Sequence, residues 1–332
     1  MSEKIVLITD YTWPSTDPEA EVLARIGAKI LVAQSGAEEE LLELVPQADA
    51  ILTCFADVTP KVIEAGHKLQ VVGRYGIGVD NIAVDTATSL GIPVTNVPVY
   101  CADEVAEHVL ALLFASARAI CKYDKAIRLD NWDLATGTPM YRIRGRTLGI
   151  LGFGHIGRTL ASKAESLGVR IIAYDPYIDE AAVTFPKVEL VGIDDIFSQA
   201  DFLSVHTPLI PQTEGLIDEA RLRTMKSNAI IVNCARGAII DHQALERALR
   251  EGWIAAAAAD VFEPEHLDSD HPLFALPNLI ATPHVAFYSE ESVAELEIKA
   301  AENVAAVLSG RRPEAVVNAE VLDLPRWSHL KY

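Results

Sequence analysis

The sequence predicts an α/β protein made of two doubly wound parallel-sheet domains. Short β-branched runs alternate with amphipathic stretches through the first hundred residues, and the same alternation resumes after residue 145. There, a glycine-rich turn stands between a strand and a helix, as in a βαβ unit. With 332 residues, 50% of them apolar, the chain is long enough to form two cores.

The first predicted domain is discontinuous and comprises residues 1–99 and 289–332. Its strand-like runs are KIVLI, KILVA, DAILTC, QVVGR and IPVTN, and helical stretches such as EAEVLARIG and PKVIEAG separate them. The segment from Glu290 onward again has helical periodicity. We expect that last helix to return to the first domain.

The second predicted domain comprises residues 100–288. Apolar residues at three- and four-residue spacing predict one long helix from Ala102 to Ile120, and the polar segment DLATGTPMYRIRG predicts a connecting loop. Strand, glycine turn, helix and strand follow in RTLGILGFGHIGRTLASKAESLGVRIIAYDP. Further strands are predicted at DFLSVHT, AIIVNC, IAAAAAD and NLIAT, which completes a doubly wound sheet.

Composition argues against several classes of protein. The chain has 28 basic and 47 acidic residues, a formal charge of -19, and it has no basic run, so its charge opposes binding to nucleic acid. The N-terminal residues lack the pattern of a signal peptide, and no apolar run approaches the roughly 20 residues of a membrane-spanning helix. We therefore expect a cytoplasmic protein without a membrane partner.

The cysteines do not predict a metal site. Cys54, Cys101, Cys121 and Cys234 form no CxxC pair and have no histidine at zinc-ligand spacing. Free thiols in a reducing compartment are the simpler interpretation.

The glycine-rich turn carries the pattern of a dinucleotide site. Gly152, Gly154 and Gly157 form GFGHIG between a predicted strand and a predicted helix, whose N-terminus suits a pyrophosphate. Asp175 ends the next strand, where a carboxylate binds the ribose hydroxyls of an adenosine. No cation stands beside Asp175, so NAD is favoured over NADP. A flavin site and an ordinary strand-to-helix turn are the remaining alternatives.

Three ionisable residues follow later predicted strands. Arg236 can make paired hydrogen bonds to a carboxylate or carbonyl, and His284 can exchange a proton near neutral pH. Glu265 can orient the histidine. Each residue alone has a structural explanation, as an ion pair, a solvated loop residue or a core histidine. Together, at strand ends of a nucleotide domain, they predict a site for carbonyl reduction.

Six motifs occur in an order that resembles the D-2-hydroxyacid dehydrogenases almost end to end. They are GRYGIGVDNI, GFGHIG, HTPLIPQTEGLI, NCARGAIID, DVFEPE and TPH. The resemblance implies a flavodoxin-like substrate domain, a Rossmann NAD domain and NAD-dependent interconversion of small 2-hydroxy and 2-oxo acids. It also implies a homodimer, with the helix from Ala102 near the interface.

The resemblance assigns roles to individual residues. Arg236 would bind the substrate carboxylate or carbonyl, His284 would be the acid or base, and Glu265 would support His284. The loop of Tyr75, Gly76, Ile77 and Gly78 would offer backbone N–H groups to the substrate carboxylate. Residues expected around the dinucleotide are Gly152, Gly154, His155, Ile156, Gly157, Asp175, Thr207, Pro208, Cys234, Ala235, Arg236, Asp260 and His284.

Single positions bear on which subgroup of this dehydrogenase family the chain resembles. Formate dehydrogenases carry glutamine where this chain has Glu265, which argues against formate oxidation. Phosphoglycerate dehydrogenases often carry an Arg-Ser pair where this chain has Thr53 and Cys54, which argues against a phosphorylated substrate. Arg74 and Arg142 remain candidates to replace that charge.

The segment TPHVAFYSEES resembles the C-terminal-binding proteins, although Phe287 stands where they usually have tryptophan. Phe287 would form an aromatic wall of the substrate pocket and favour an apolar substrate side chain, or it would pack in the core. Two alternatives to a 2-oxo acid reductase therefore stay open: an NAD(H)-sensing binding module and a phosphoglycerate dehydrogenase.

Overall fold

The computed structural model describes residues 3–178 and 188–330. The chain divides into two compact units, the first comprising Met1–Tyr100 and Ser289–Tyr332, the second Cys101–Tyr288. Each unit contains one sheet, and every pairing between named strands is parallel. The predicted fold class is thereby confirmed.

The strands are β1 Lys4–Ile8, β2 Ala28–Val32, β3 Ala50–Thr53, β4 Val71–Arg74, β5 Val94–Thr95, β6 Thr147–Leu151, β7 Arg170–Tyr174, β8 Val188–Leu190, β9 Phe202–Val205, β10 Ile230–Asn233, β11 Ala256–Ala259 and β12 Leu279–Ala281. The helices are α1 Asp17–Ala24, α2 Glu38–Leu44, α3 Pro60–Ala65, α4 Val84–Ser89, α5 Ala102–Ala117, α6 Ile120–Arg128, α7 His155–Ala164, α8 Ile193–Gln199, α9 Glu219–Thr224, α10 His242–Glu251 and α11 Glu290–Leu308.

The sheet of the first unit has the strand order β2-β1-β3-β4-β5, the flavodoxin-like order. Helix α11 packs on β3, β4 and β5, so the C-terminal segment completes the core of this unit. A Cβ on Gly73 would lie 2.8 Å from side chains of both Leu52 and Val304, so glycine lets α11 approach β4 closely. Ser289 caps α11 in a reciprocal pair with Ser292, which fixes where the helix starts.

The sheet of the second unit has the order β12-β11-β10-β9-β6-β7-β8, the doubly wound order of dinucleotide-binding domains with one added strand. Both faces are covered: one core contains Phe197, Leu203 and Ile231, and the other contains Leu113, Ile150 and Val232. The strand order reverses between β6 and β9. Open α/β sheets bind ligands beside that point, at the carboxyl ends of the strands.

Two details differ from the prediction. The helix predicted from Ala102 to Ile120 is present as α5, but it ends three residues earlier, at Ala117, because Ala119 has the left-handed backbone conformation, with φ 52°, and α6 begins at Ile120. Apolar periodicity continues across this break, so it gives no sign of the turn. Strand β8 was not predicted, since its three residues are too short to show alternation.

Within the described ranges, no helix is both long and apolar enough to cross a membrane. Likewise, the described residues contain no cluster of three His, Cys, Asp or Glu side chains arranged to hold a metal ion.

Candidate active site

Strand register brings the carboxyl ends of five strands into one row at the edge of the second sheet. Leu151 pairs with Val205, and Val205 pairs with Asn233. Asn233 pairs with Ala259, which in turn pairs with Ala281. Because these are the last residues of their strands, the loops that follow start side by side. This edge therefore gathers the glycine turn and the loops of the three ionisable residues.

His284 and Glu265 form a direct pair. Nδ1 of His284 lies 2.6 Å from Oε1 of Glu265, and the two side chains are 21% and 35% exposed. Because an ionised carboxylate only accepts hydrogen bonds, the ring donates from Nδ1, and proton exchange with a substrate falls to Nε2. The predicted partnership of these residues therefore matches the geometry that a general acid or base requires.

The backbone of His284 is held in an unusual conformation. Its φ of 54° lies in the left-handed region, which non-glycine residues rarely adopt. Its N–H donates to the carbonyl of Asp260 at 2.7 Å, and the Asp260 carboxylate accepts from the N–H groups of Val285 and Ala286 at 3.0 and 2.8 Å. The Thr282 hydroxyl donates to the same carboxylate. Asp260, expected at the dinucleotide, thus holds the loop that carries His284.

His108 joins this network from helix α5. Its Nε2 lies 3.1 Å from Oγ1 of Thr282 and 3.6 Å from Oδ1 of Asp260. Sequence reasoning missed both His108 and Thr282, because His108 stands in the helical pattern of α5 far from the other site motifs. Only the packing of α5 against β11 brings them together.

Arg236 lies on a tight turn after β10. The side chain of Asn233 accepts a hydrogen bond from Ala235 N at 3.0 Å and donates one to the Arg236 carbonyl at 2.9 Å, so it shapes this turn. The next residue is Gly237, where an added Cβ would lie 2.0 Å from the carbonyl carbon of Phe262. The Arg236 loop therefore packs directly on the loop that leads to Glu265.

The glycine turn fits a dinucleotide pyrophosphate. Gly152 has φ 95°, and a Cβ there would lie 2.6 Å from the carbonyl carbon of His206. A Cβ on Gly157 would lie 2.4 Å from the carbonyl oxygen of Gly152, so helix α7 packs tightly against the turn. Around Gly154, by contrast, an added Cβ meets no described atom within 4 Å. His155 follows as the first residue of α7, and the helix presents its N-terminus at this open point.

Asp175 fits the adenosine ribose. Its Oδ2 accepts from Phe153 N at 2.9 Å and its Oδ1 from Tyr177 N at 3.0 Å, so the carboxylate is fixed beside the glycine turn. Each carboxylate oxygen has a second acceptor site for a ribose hydroxyl. The residues present therefore suit NAD.

Neutral groups stand at the ends of β9 and β10. Burial lowers the pKa of His206 to about 4, and its Nε2 lies 2.7 Å from the Ser204 hydroxyl. Burial and then the charge of Asp260 raise the pKa of the Cys234 thiol well above its usual range. Both groups are therefore uncharged at neutral pH. The remaining residues predicted around the dinucleotide, Ile156, Thr207, Pro208 and Ala235, lie at the same sheet edge.

The Tyr75 to Gly78 loop belongs to the first unit. Tyr75 N donates to the Thr53 carbonyl at 2.8 Å. This N–H is therefore not available to the substrate carboxylate, contrary to the prediction for Tyr75. The N–H groups of Gly76, Ile77 and Gly78 donate to no acceptor among the described residues. They remain the candidates for binding a carboxylate.

Phe287 lies next to the catalytic histidine candidate. Its ring centroid is 6.3 Å from that of His284, with the ring planes 80° apart. This edge-to-face arrangement agrees with an aromatic wall beside the reacting centre.

Comparison with known proteins identifies the family. The protein-family model described as "D-isomer specific 2-hydroxyacid dehydrogenase, NAD binding domain" matches residues 110–286, which is more than half of the chain. The chain belongs to the D-isomer specific 2-hydroxyacid dehydrogenases. The predicted family and the predicted NAD cofactor are thereby confirmed.

Two relatives in this dehydrogenase family carry different names. A D-3-phosphoglycerate dehydrogenase from Methanocaldococcus jannaschii is 40% identical over 98% of this chain, but the match spans only 62% of that protein's length. A glyoxylate reductase from Korarchaeum cryptofilum is 40% identical over 85% of this chain and 86% of its own length. Among solved structures, a protein from Thermus thermophilus superposes with a TM-score of 0.85 at 32% identity, covering 94% of this chain and 99% of that one.

Proposed function

We propose that the protein is an NAD-dependent D-2-hydroxyacid dehydrogenase that reduces small 2-oxo acids. The observation that carries the proposal is the 2.6 Å contact between His284 Nδ1 and Glu265 Oε1, at the sheet edge that also holds the glycine turn. An oriented imidazole beside a dinucleotide turn suits reversible proton transfer coupled to hydride transfer.

Each side chain has a separate task in this reaction. When bound, NADH supplies the hydride that reduces the carbonyl carbon. His284 donates the proton from Nε2 to the carbonyl oxygen, so that hydride and proton together give the 2-hydroxy acid. Glu265 fixes the ring through Nδ1 and stabilises its positive charge before the proton leaves. Arg236 binds the substrate carboxylate or carbonyl oxygen, and the N–H groups of residues 76–78 bind the carboxylate.

The first unit is the proposed substrate domain, and its loop argues for a substrate without phosphate. Arg74 is buried, and its guanidinium donates to the side chain of Asn81 at 3.1 Å and to the Tyr75 carbonyl. Thr53 and Cys54 carry no positive charge, and burial raises the pKa of the Cys54 thiol to about 12, which keeps it neutral. Arg74 is thus used in shaping the loop. The second candidate, phosphoglycerate dehydrogenase, rests on the relatives of that name.

A substrate panel separates the two candidates. We expect NADH oxidation with glyoxylate or hydroxypyruvate to exceed that with 3-phosphohydroxypyruvate in kcat/KM by about tenfold or more, because the phosphate would lack a charge-assisted hydrogen bond. Chiral analysis should find the D-2-hydroxy acid, and NADPH serves as the cofactor control. A preference of the same size for 3-phosphohydroxypyruvate would favour the second candidate.

We further propose a homodimer formed through the segment of residues 120–141. This segment exposes large apolar side chains: Ile120, Ile127, Leu129, Trp132, Leu134 and Tyr141. Trp132 is 73% exposed and Leu134 is 83% exposed, which is costly for a monomer in water. Beside them lies a groove of about 930 Å³ lined partly by Ala126, Leu276 and Ile280. A second copy of the chain would cover this apolar surface and the groove beside it, because a twofold axis brings the same surface patch of both subunits together.

Substitution in this apolar segment tests the dimer. We expect Leu134→Asp to weaken dimerisation by about thirtyfold or more, the loss typical of one central apolar contact. Sedimentation equilibrium would measure the change, with Leu90→Asp, an exposed leucine of the first unit, as the matched control. A wild-type monomer at micromolar concentration would rule the dimer out. The cytoplasmic location stays a prediction, which cell fractionation would test.

A further inference from the structure

Two buried carboxyl groups meet beneath the Tyr75 loop. Glu19 on α1 is 0% exposed and Glu297 on α11 is 5% exposed, and these two helices pack against each other. The Tyr75 hydroxyl donates to Glu19 Oε1 at 2.9 Å. The Tyr75 ring in turn packs edge-on against Trp13, with centroids 4.9 Å apart. Glu19, in the first turn of α1, thus holds the side chain of Tyr75, the residue that directly precedes the Gly76 to Gly78 loop.

Within residues 3–178 and 188–330, no cation compensates these carboxyl groups. None of the ion pairs found among the described residues includes Glu19 or Glu297. The other titratable groups that act on them are the Tyr75 phenol, which donates to Glu19, and Asp17, whose charge further raises the pKa of Glu297; neither group carries a positive charge. Glu19 Oε2 is buried and forms no hydrogen bond among the described residues, and the neutral indole N–H of Trp13, which lowers the pKa of Glu19, is likewise buried and unpaired there. Two ionised carboxylates in such surroundings would be strongly destabilising.

We propose that Glu19 and Glu297 share one proton at neutral pH and are positioning residues for the substrate-binding loop. Glu297 is the protonated partner and donates to Glu19 Oε2, which supplies the donor that this oxygen otherwise lacks. Glu19 then accepts from both Glu297 and the Tyr75 hydroxyl. The role in substrate binding rests on the proposed function, whereas the shared proton does not.

The pKa shifts agree with this arrangement. Burial, then the charge of Glu19 and the hydrogen bond between the two carboxyl groups, raise the pKa of Glu297 to about 8. Burial also raises the pKa of Glu19. Above about pH 8 both groups become charged, and their repulsion should displace Tyr75 and loosen the loop that follows it.

The effect on stability has a definite sign. Between the ordinary pKa of 4.5 and the folded value of about 8, the folded protein keeps a proton on Glu297 that the unfolded chain has lost. This contribution to stability is complete below pH 4.5, falls as pH rises, and is gone above about 8. The folding equilibrium constant should therefore fall by about tenfold per pH unit from this group alone within that window.

Glu297→Gln removes the titration while keeping a donor for Glu19. Glu302, exposed on the same helix, provides the matched control as Glu302→Gln. We expect the stability ratio of Glu297→Gln to wild type, measured by urea unfolding, to rise by about tenfold per pH unit from pH 5 to 8 and then level off. The infrared band of a protonated carboxylic acid should be present in the wild type at pH 7 and absent from Glu297→Gln.

Kinetics test the positioning role. From pH 7 to 9 we expect the wild-type KM for the preferred 2-oxo acid to rise by about tenfold relative to that of Glu297→Gln, with the ratio of kcat values steady. Taking ratios removes any effect of pH on catalysis that the two proteins share. If Glu297→Gln does not fold, Glu19→Gln replaces it in the same measurements.

The outcomes are distinguishable. A missing infrared band, or parallel stability profiles, would overturn the shared proton. A band and a stability change without any change in the KM ratio would overturn the positioning role. If no 2-oxo acid is turned over, the proposed function fails, while the spectra and unfolding curves still decide whether the proton is shared.

Discussion

Replacing His284 with alanine is expected to lower kcat by about 10²–10⁴-fold while NADH binding is retained. The imidazole is the group placed here to give a proton to the carbonyl oxygen, and its Nδ1 is fixed by Glu265 at 2.6 Å. Hydride transfer without that proton would leave a high-energy alkoxide. Steady-state NADH oxidation measures the loss, and the change in NADH fluorescence on titration measures binding.

The control is His67→Ala, an exposed histidine on a turn of the first unit, which should keep wild-type kcat. Turnover by His284→Ala within a few-fold of wild type would rule out the proposed acid. Loss of both NADH binding and folding would mean that the left-handed backbone at His284, with φ 54°, depends on the side chain. His284→Asn, which tolerates this conformation, would then separate the two effects.

Arg236→Ala should lower kcat/KM by about 10²–10³-fold. The guanidinium is the cation on the turn between the dinucleotide loops and the His284 loop, and losing a charged partner of a desolvated carboxylate costs about 2–5 kcal/mol. Arg236→Lys should recover only part of the activity, because an ammonium group keeps the charge but not the paired hydrogen bonds. Initial rates over a range of 2-oxo acid concentrations would measure both variants.

Arg250→Ala is the matched control, since Arg250 is exposed at the end of α10 and pairs with Glu246. It should leave kcat/KM unchanged. Equal losses in the Arg236 and Arg250 variants would show that the effect comes from general charge or stability and not from substrate binding.

Much of the site was predictable because its signals are local. The glycine turn depends on short-range backbone packing, and a strand followed by Arg236, Glu265 or His284 can be read from a few neighbouring residues. Parallel strands then place all such loops at one sheet edge. The His284–Glu265 pair could thus be inferred from the sequence with the help of the family resemblance.

The rest depends on long-range packing. His108 contacts Thr282 only because α5 crosses the sheet, and Glu19 meets Glu297 only because α1 packs on α11. The break between α5 and α6 depends on a left-handed alanine at Ala119, which apolar periodicity does not indicate. The glycine-rich motif predicted a free N–H at Tyr75, but this N–H donates to the Thr53 carbonyl, because the pairing of β3 with β4 continues to that residue.

In the proposed reaction, the His284 site transfers a proton during NADH-dependent reduction of a 2-oxo acid. The most direct test compares the wild type and His284→Ala side by side at neutral pH, recording NADH binding and NADH oxidation with glyoxylate and hydroxypyruvate. Both proteins should bind NADH, and the kcat of His284→Ala should be about 10²–10⁴-fold below that of the wild type. Tight NADH binding by the wild type without turnover of any 2-oxo acid would contradict the proposed reaction and would favour an NAD(H)-sensing module.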